Sequence, residues 1–116
     1  MSAKEEIDRL RAEAINLARA IPQVSQAFQR VMKEVNAPGA IDTKFKELLA
    51  VAIAISTHCE GCILFHMQNA IRHGVSREEV AETIAVAIEM GGGPATVYGA
   101  KALQAYDDLQ AAQKAS

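Results

Sequence analysis

Apolar residues recur at helical spacing along most of the chain. Over 4–20, Ile7, Leu10, Ala14, Leu17 and Ala18 fall on one side, with Ile21 beyond, while Glu5, Asp8, Arg9 and Glu13 take the other. Pro22 interrupts that helix. A second helix, about 23–35, carries Val24, Ala27, Phe28, Val31, Met32 and Val35, and Asn36-Ala37-Pro38-Gly39 ends it in a turn. Asp42 reads as the N-cap of a third helix, about 43–57. Its centre, residues 48–55, is apolar on every side, as expected of a helix buried all round in a core or in a subunit interface. Periodicity alone also allows a buried strand there; the alanines and the flanking helices favour helix.

The second half continues in the same style. A fourth helix begins near Cys59–Cys62 and ends at His73-Gly74, with Gly74 suited to the left-handed position after a helix. Ser76-Arg77-Glu78-Glu79 has the form of a capping box and opens a fifth helix, about 77–90, with Val80, Ile84, Ala87 and Ile88 facing inward. Gly91-Gly92-Gly93-Pro94 breaks it, and a last helix covers about 95–112. The expected fold is all-α: a compact bundle of about six helices in one domain, 1–116, with N-terminal helices over 1–40 and a core over 41–112.

Composition narrows the function. Charged residues make up 22% and apolar ones 50%, which is globular rather than disordered. Aromatics are only 4%, so the core must be built from Ala, Ile, Leu, Val and Met. A net charge of −2, from 12 basic and 14 acidic residues, provides no basic footprint for nucleic acid. The apolar run is too short to cross a membrane, and the acidic start is unlike a secretory signal. A cytoplasmic location is expected. There, paired cysteines are more often redox-active or metal-binding than structural.

The chemistry concentrates in Cys59-Glu60-Gly61-Cys62-Ile63-Leu64-Phe65-His66, which holds both cysteines of the chain. If this segment opens a helix, Cys62 and His66 share a face. The free N–H groups of a first turn favour a thiolate, and a nearby imidazole can take the thiol proton. Zinc is a competing reading, but Cys59, Cys62 and His66 are three ligands where a structural site uses four. Only His58 or His73 could supply another; they read as a helix-end and a C-terminal-turn histidine. Glu47 borders the apolar run. On its own, it reads as a solvated carboxylate between Lys44 and Lys46.

Together these residues resemble the alkylhydroperoxidase D-like branch of the carboxymuconolactone decarboxylase superfamily, over about 41–106. The match is Glu47, then eleven residues, then Cys59-x-x-Cys62-x-x-x-His66; Gly74–Glu79 and Gly91–Pro94 are also similar to the family. The resemblance implies a thiol-dependent peroxidase or disulfide oxidoreductase that needs no cofactor and no metal. Cys62 would attack the hydroperoxide, Cys59 would resolve it as a disulfide, His66 would deprotonate Cys62, and Glu47 would receive or orient the proton. It also implies a lipoyl- or thioredoxin-like dithiol reductant and a homo-oligomer, trimer or hexamer. In one respect the chain departs from the founding peroxidases: Gly61 stands where they have a further histidine. The family's decarboxylases lack the cysteine pair. Two alternatives stand beside the peroxidase: a non-catalytic redox-sensing oligomer, and a cofactor-free lyase.

Overall fold

Side-chain caps open four of the helices in the computed structural model, which describes residues 1–115. Helix α1 is Ala3–Ala20, α2 Pro22–Asn36, α3 Thr43–Ser56, α4 Glu60–Arg72, α5 Arg77–Gly91 and α6 Gly93–Ala115; there is no strand among the described residues. Ser2 caps α1 in a reciprocal box with Glu5, a signal the hydrophobic pattern passes over. Pro22 does more than stop α1. It sits at the first position of α2, where a missing N–H costs nothing. Asp42 accepts the Phe45 N–H at 2.8 Å and so starts α3. Ser76 and Glu79 form the expected box at α5. The break between α5 and α6 comes down to Gly92, at φ 69°, with Gly93 and Pro94 already inside α6.

Helix α3 is central. It packs on α4 and α5, which in turn pack on α6, while α1 lies across α4 and α6. Ile7, Val51, Ile55, Ile63, Met67 and Val80 are the largest fully buried side chains. Helices α5 and α6 approach so closely that a Cβ on Gly99 would lie 2.6 Å from Ile84 Cγ2. Ion pairs also tie the elements together: Lys44 Nζ donates to Glu79 at 2.8 Å, joining α3 to α5, Arg77 grips Asp107 with two nitrogens, joining α5 to α6, and Lys101 lies 3.5 Å from Glu60, joining α6 to α4. The Lys44 ammonium, with the Ser76 backbone N–H behind it, holds the Glu79 carboxyl below its ordinary pKa.

The expectation that 48–55 is buried all round does not hold within one chain. Leu48, Val51, Ala54 and Ile55 are buried, but Ile53 is 62% exposed and Leu49 and Phe45 are exposed with it. The reason is geometric: other helices cover two sides of α3, leaving a third open. Helix α2 has no buried residue, and Val24, Phe28, Val31, Met32 and Val35 face outward. It packs chiefly on α1, and its last turn is tied to α3 by Lys46, whose Nζ donates to the Val35 and Ala37 carbonyls. Such a lysine satisfies carbonyls that a helix end leaves unpaired.

Two outcomes follow for stability. Gly99→Ala drives a methyl into Ile84, and denaturant unfolding should show a loss of about 1–3 kcal/mol, the usual cost of overpacking. Glu79→Gln keeps an oxygen acceptor for the cap but removes the charge facing Lys44. A carboxyl held low in the fold contributes stability above its unfolded pKa and loses it as pH falls through the folded value. Wild type should therefore melt above Glu79→Gln at neutral pH, and the gap in melting temperature should close in acid.

Candidate active site

The site is built where α3 ends and α4 begins. Thr57 donates its N–H to Ile53 O, His58 to Ile55 O at 3.3 Å, and Cys59 to Ala54 O at 3.0 Å. The last two are the paired bonds of a Schellman turn, with His58 at the left-handed position. His58 has φ 57°, the one positive φ among the described non-glycine residues. The same turn ends α4, with Gly74 at φ 81° and bonds from Gly74 to Ile71 and from Val75 to Ala70. A glycine there is legible in advance; a histidine is not. The imidazole of His58 stacks on Tyr98 of α6, centroids 4.6 Å apart and rings within 8° of parallel. Neither Tyr98 nor this stack carries a signal in the sequence. His73, at the C-terminal end of α4, bonds the Asn69 carbonyl through Nδ1, in keeping with its reading as a helix-end residue.

Cys59 is both the residue that closes α3 and the N-cap of α4: its Sγ accepts the Cys62 N–H at 3.2 Å. The two cysteines are joined as a disulfide, Cα atoms 5.2 Å apart. Cys59 is partly buried and Cys62 exposed. Cys59 at the N-cap and Cys62 in the first turn both lie at the start of α4, where backbone N–H groups and the positive end of the helix favour negative charge on sulfur. Among the described residues no group of three or more His, Cys, Asp or Glu is arranged to hold a metal ion.

One turn along α4, His66 Nδ1 lies 2.7 Å from Glu47 Oε2. Glu47 is 2% exposed, the one charged residue in the buried set, and its reading as a solvated carboxylate is overturned. The physical reason is that its neighbours are engaged elsewhere: Lys44 is turned to Glu79, and Lys46 to the end of α2. A buried carboxylate needs a donor, and His66 supplies it. With Nδ1–H donating to the carboxylate, Nε2 is the ring atom left to accept a proton. The imidazole itself is only part-buried, and it lies one helical turn along α4 from the exposed Cys62.

Gly61 faces α1. A Cβ there would meet Leu10 Cδ1 at 3.4 Å, close to ordinary van der Waals contact. Arg11, on the same stretch of α1, lies over the Phe65 ring at 5.7 Å and donates to Gln68. A small crevice lined by Glu60, Ile63, Leu64 and Lys101 borders the first turn of α4. A larger hollow, lined by Ile71, Arg72 and Leu109 among others, lies at the far end of that helix, away from the cysteines.

A buried glutamate paired with a part-buried histidine, next to a helix-entry cysteine pair, is thus set on an all-helical frame. The model of the carboxymuconolactone decarboxylase family matches residues 22–105, and the chain belongs to that family. A protein of Cupriavidus necator is 46% identical over 95 residues, 82% of this chain and 84% of that one. A protein of the cox locus of Paracoccus denitrificans is 40% identical over 95 residues, 82% and 86% of the two chains. The apo crystal structure of a carboxymuconolactone decarboxylase family protein from Legionella pneumophila superposes with a TM-score of 0.89 at 33% identity, covering 92% of this chain and 96% of that one. A Thermotoga maritima member, for which a part in antioxidative response has been suggested, shares the fold with a TM-score of 0.83 at 24% identity, covering 94% and 93%. No helix among the described residues is long and apolar enough to cross a membrane.

Proposed function

We propose that this protein is a thiol-dependent peroxidase that reduces hydroperoxides through Cys62 and Cys59. The observation that carries the reading is the buried Glu47 carboxylate bonded at 2.7 Å to His66, one helical turn from Cys62. An isolated C-x-x-C needs no such partner, and a carboxylate placed in an apolar core is costly unless its charge has a use.

Three steps complete the cycle. His66, oriented by Glu47, takes the Cys62 proton, and the thiolate attacks the distal peroxide oxygen. The O–O bond breaks; Cys62 becomes a sulfenic acid, and the departing alkoxide takes the proton back from His66 to leave as an alcohol. The Cys59 thiol then displaces water from the sulfenic acid, forming the disulfide. Finally an external dithiol exchanges with the disulfide, restoring both thiols and leaving as its own disulfide. Membership in the carboxymuconolactone decarboxylase family supports the reading at the level of fold, and the cysteine pair favours redox chemistry over decarboxylation. The reductant is a small lipoyl- or thioredoxin-like dithiol, which the exposed Cys62 can meet at the surface.

The working unit is a homo-oligomer, a trimer or hexamer. Phe28, Val31 and Val35 on α2 and Phe45, Leu49 and Ile53 on α3 are large apolar side chains that this chain leaves exposed, as surfaces that meet a partner do. A second copy of this chain is the occupant that fits, since α2 has no buried residue of its own and α3 leaves one apolar side open.

Two measurements test these statements. With a dithiol donor and an organic hydroperoxide, wild type should turn over. Cys62→Ser should abolish turnover, and Glu47→Gln and His66→Gln should each lower it by about 10²–10⁴-fold, the range of a lost acid–base group. Full turnover by Cys62→Ser sinks the assignment. In sedimentation at micromolar concentration the protein should run as a trimer or larger, and a monomer would contradict the oligomer.

A further inference from the structure

The His58–Tyr98 stack lies beside the cysteine pair but is used by none of the steps above. His58 occupies a left-handed backbone position that an L-residue enters at a cost and that glycine occupies freely. The chain supplies its own control, since the equivalent turn at the end of α4 uses Gly74. A side chain kept in a strained position is held there by what surrounds it, and such positions cluster at functional sites. For His58 the surrounding contact is the parallel stack on Tyr98, itself packed against the core from α6.

We propose that His58 is a positioning residue for the Cys59–Cys62 pair, acting through its stack on Tyr98. The stack ties the turn between α3 and α4 to α6. The next residue in that turn is Cys59, whose N–H is bonded to Ala54 and whose sulfur caps α4. Fixing His58 therefore fixes where the Cys59 sulfur stands relative to Cys62 and raises the effective concentration of one thiol at the other. The stack thus holds the resolving cysteine ready to close the disulfide. The inference rests on the reading that the pair cycles between dithiol and disulfide.

The test is an equilibrium on the full chain in mixtures of reduced and oxidised dithiothreitol, with free thiols counted by alkylation and mass. His58→Asn tolerates the left-handed backbone but has no ring, and Tyr98→Ala removes the other face. Each should shift the equilibrium toward the dithiol by about three- to tenfold, the value of one aromatic contact. The double variant should shift no further than either single one, and Tyr98→Phe, which keeps the ring face, should match wild type. His58→Gly relieves the backbone, so it should be at least as heat-stable as His58→Asn while its disulfide is equally easy to reduce. A purely structural histidine would instead move redox equilibrium and melting temperature together.

An unshifted equilibrium in His58→Asn, or additive shifts in the double variant, would overturn the proposal. Should Tyr98→Ala fail to fold, His58→Asn against Tyr98→Phe still decides. No hydroperoxide enters this equilibrium, so a wild type that forms the disulfide but turns over no peroxide removes the peroxidase reading alone. Intact turnover with no shift in any variant removes the positioning role alone.

Discussion

A carboxylate inside an apolar helix bundle is the constraint around which this molecule is arranged. Glu47 is 2% exposed, and its bond to His66 is what makes that burial tolerable. The consequences run outward. Lys44 and Lys46, the nearest cations in sequence, are drawn to Glu79 and to the last turn of α2, so the carboxylate answers to the imidazole. The imidazole is thereby fixed at Nδ1, and it is the part-exposed partner of a buried carboxylate. The α3–α4 contact is then as much a polar junction as an apolar one, and the cysteines sit at its mouth.

Most of this frame is legible in the residues. Asp42, the Ser76–Glu79 box and Gly74 mark helix ends by chemistry that acts within a few positions, and the structure uses them as expected. The boundaries that shift are those where glycine and proline are ambiguous: Gly93 and Pro94 read as a break but serve as the first turn of α6. Long-range facts are not legible. Nothing near Glu47 in the sequence says that its neighbouring lysines are turned elsewhere, so a solvated carboxylate is the natural reading until His66 is seen beside it. Likewise His58 reads as an ordinary helix-end residue, because its partner Tyr98 lies on another helix. The resemblance to a family supplied the Glu–His pairing where spacing could not.

The apolar run of α3 reads as buried in a core or in a subunit interface, and one chain alone buries only part of it. A helix without a polar side must be covered on all sides, yet a chain of 116 residues covers only part of it. Phe45, Leu49 and Ile53 remain outside, next in space to no element of this chain that buries them. Helix α2 repeats the situation, amphipathic by pattern and without one buried residue. Both make sense if the hydrophobic pattern records an assembly rather than a single subunit.

The junction of α3 and α4 contains no slack, since Thr57, His58 and Cys59 are the whole of it and each is tied back to α3 by its backbone N–H. That rigidity makes chain length itself a determinant. One residue added or removed on either helix between Glu47 and His66 would swing one of them about 100° around its axis. The fixed interval between the glutamate and the first cysteine is therefore a mechanical linkage, measured in turns of helix.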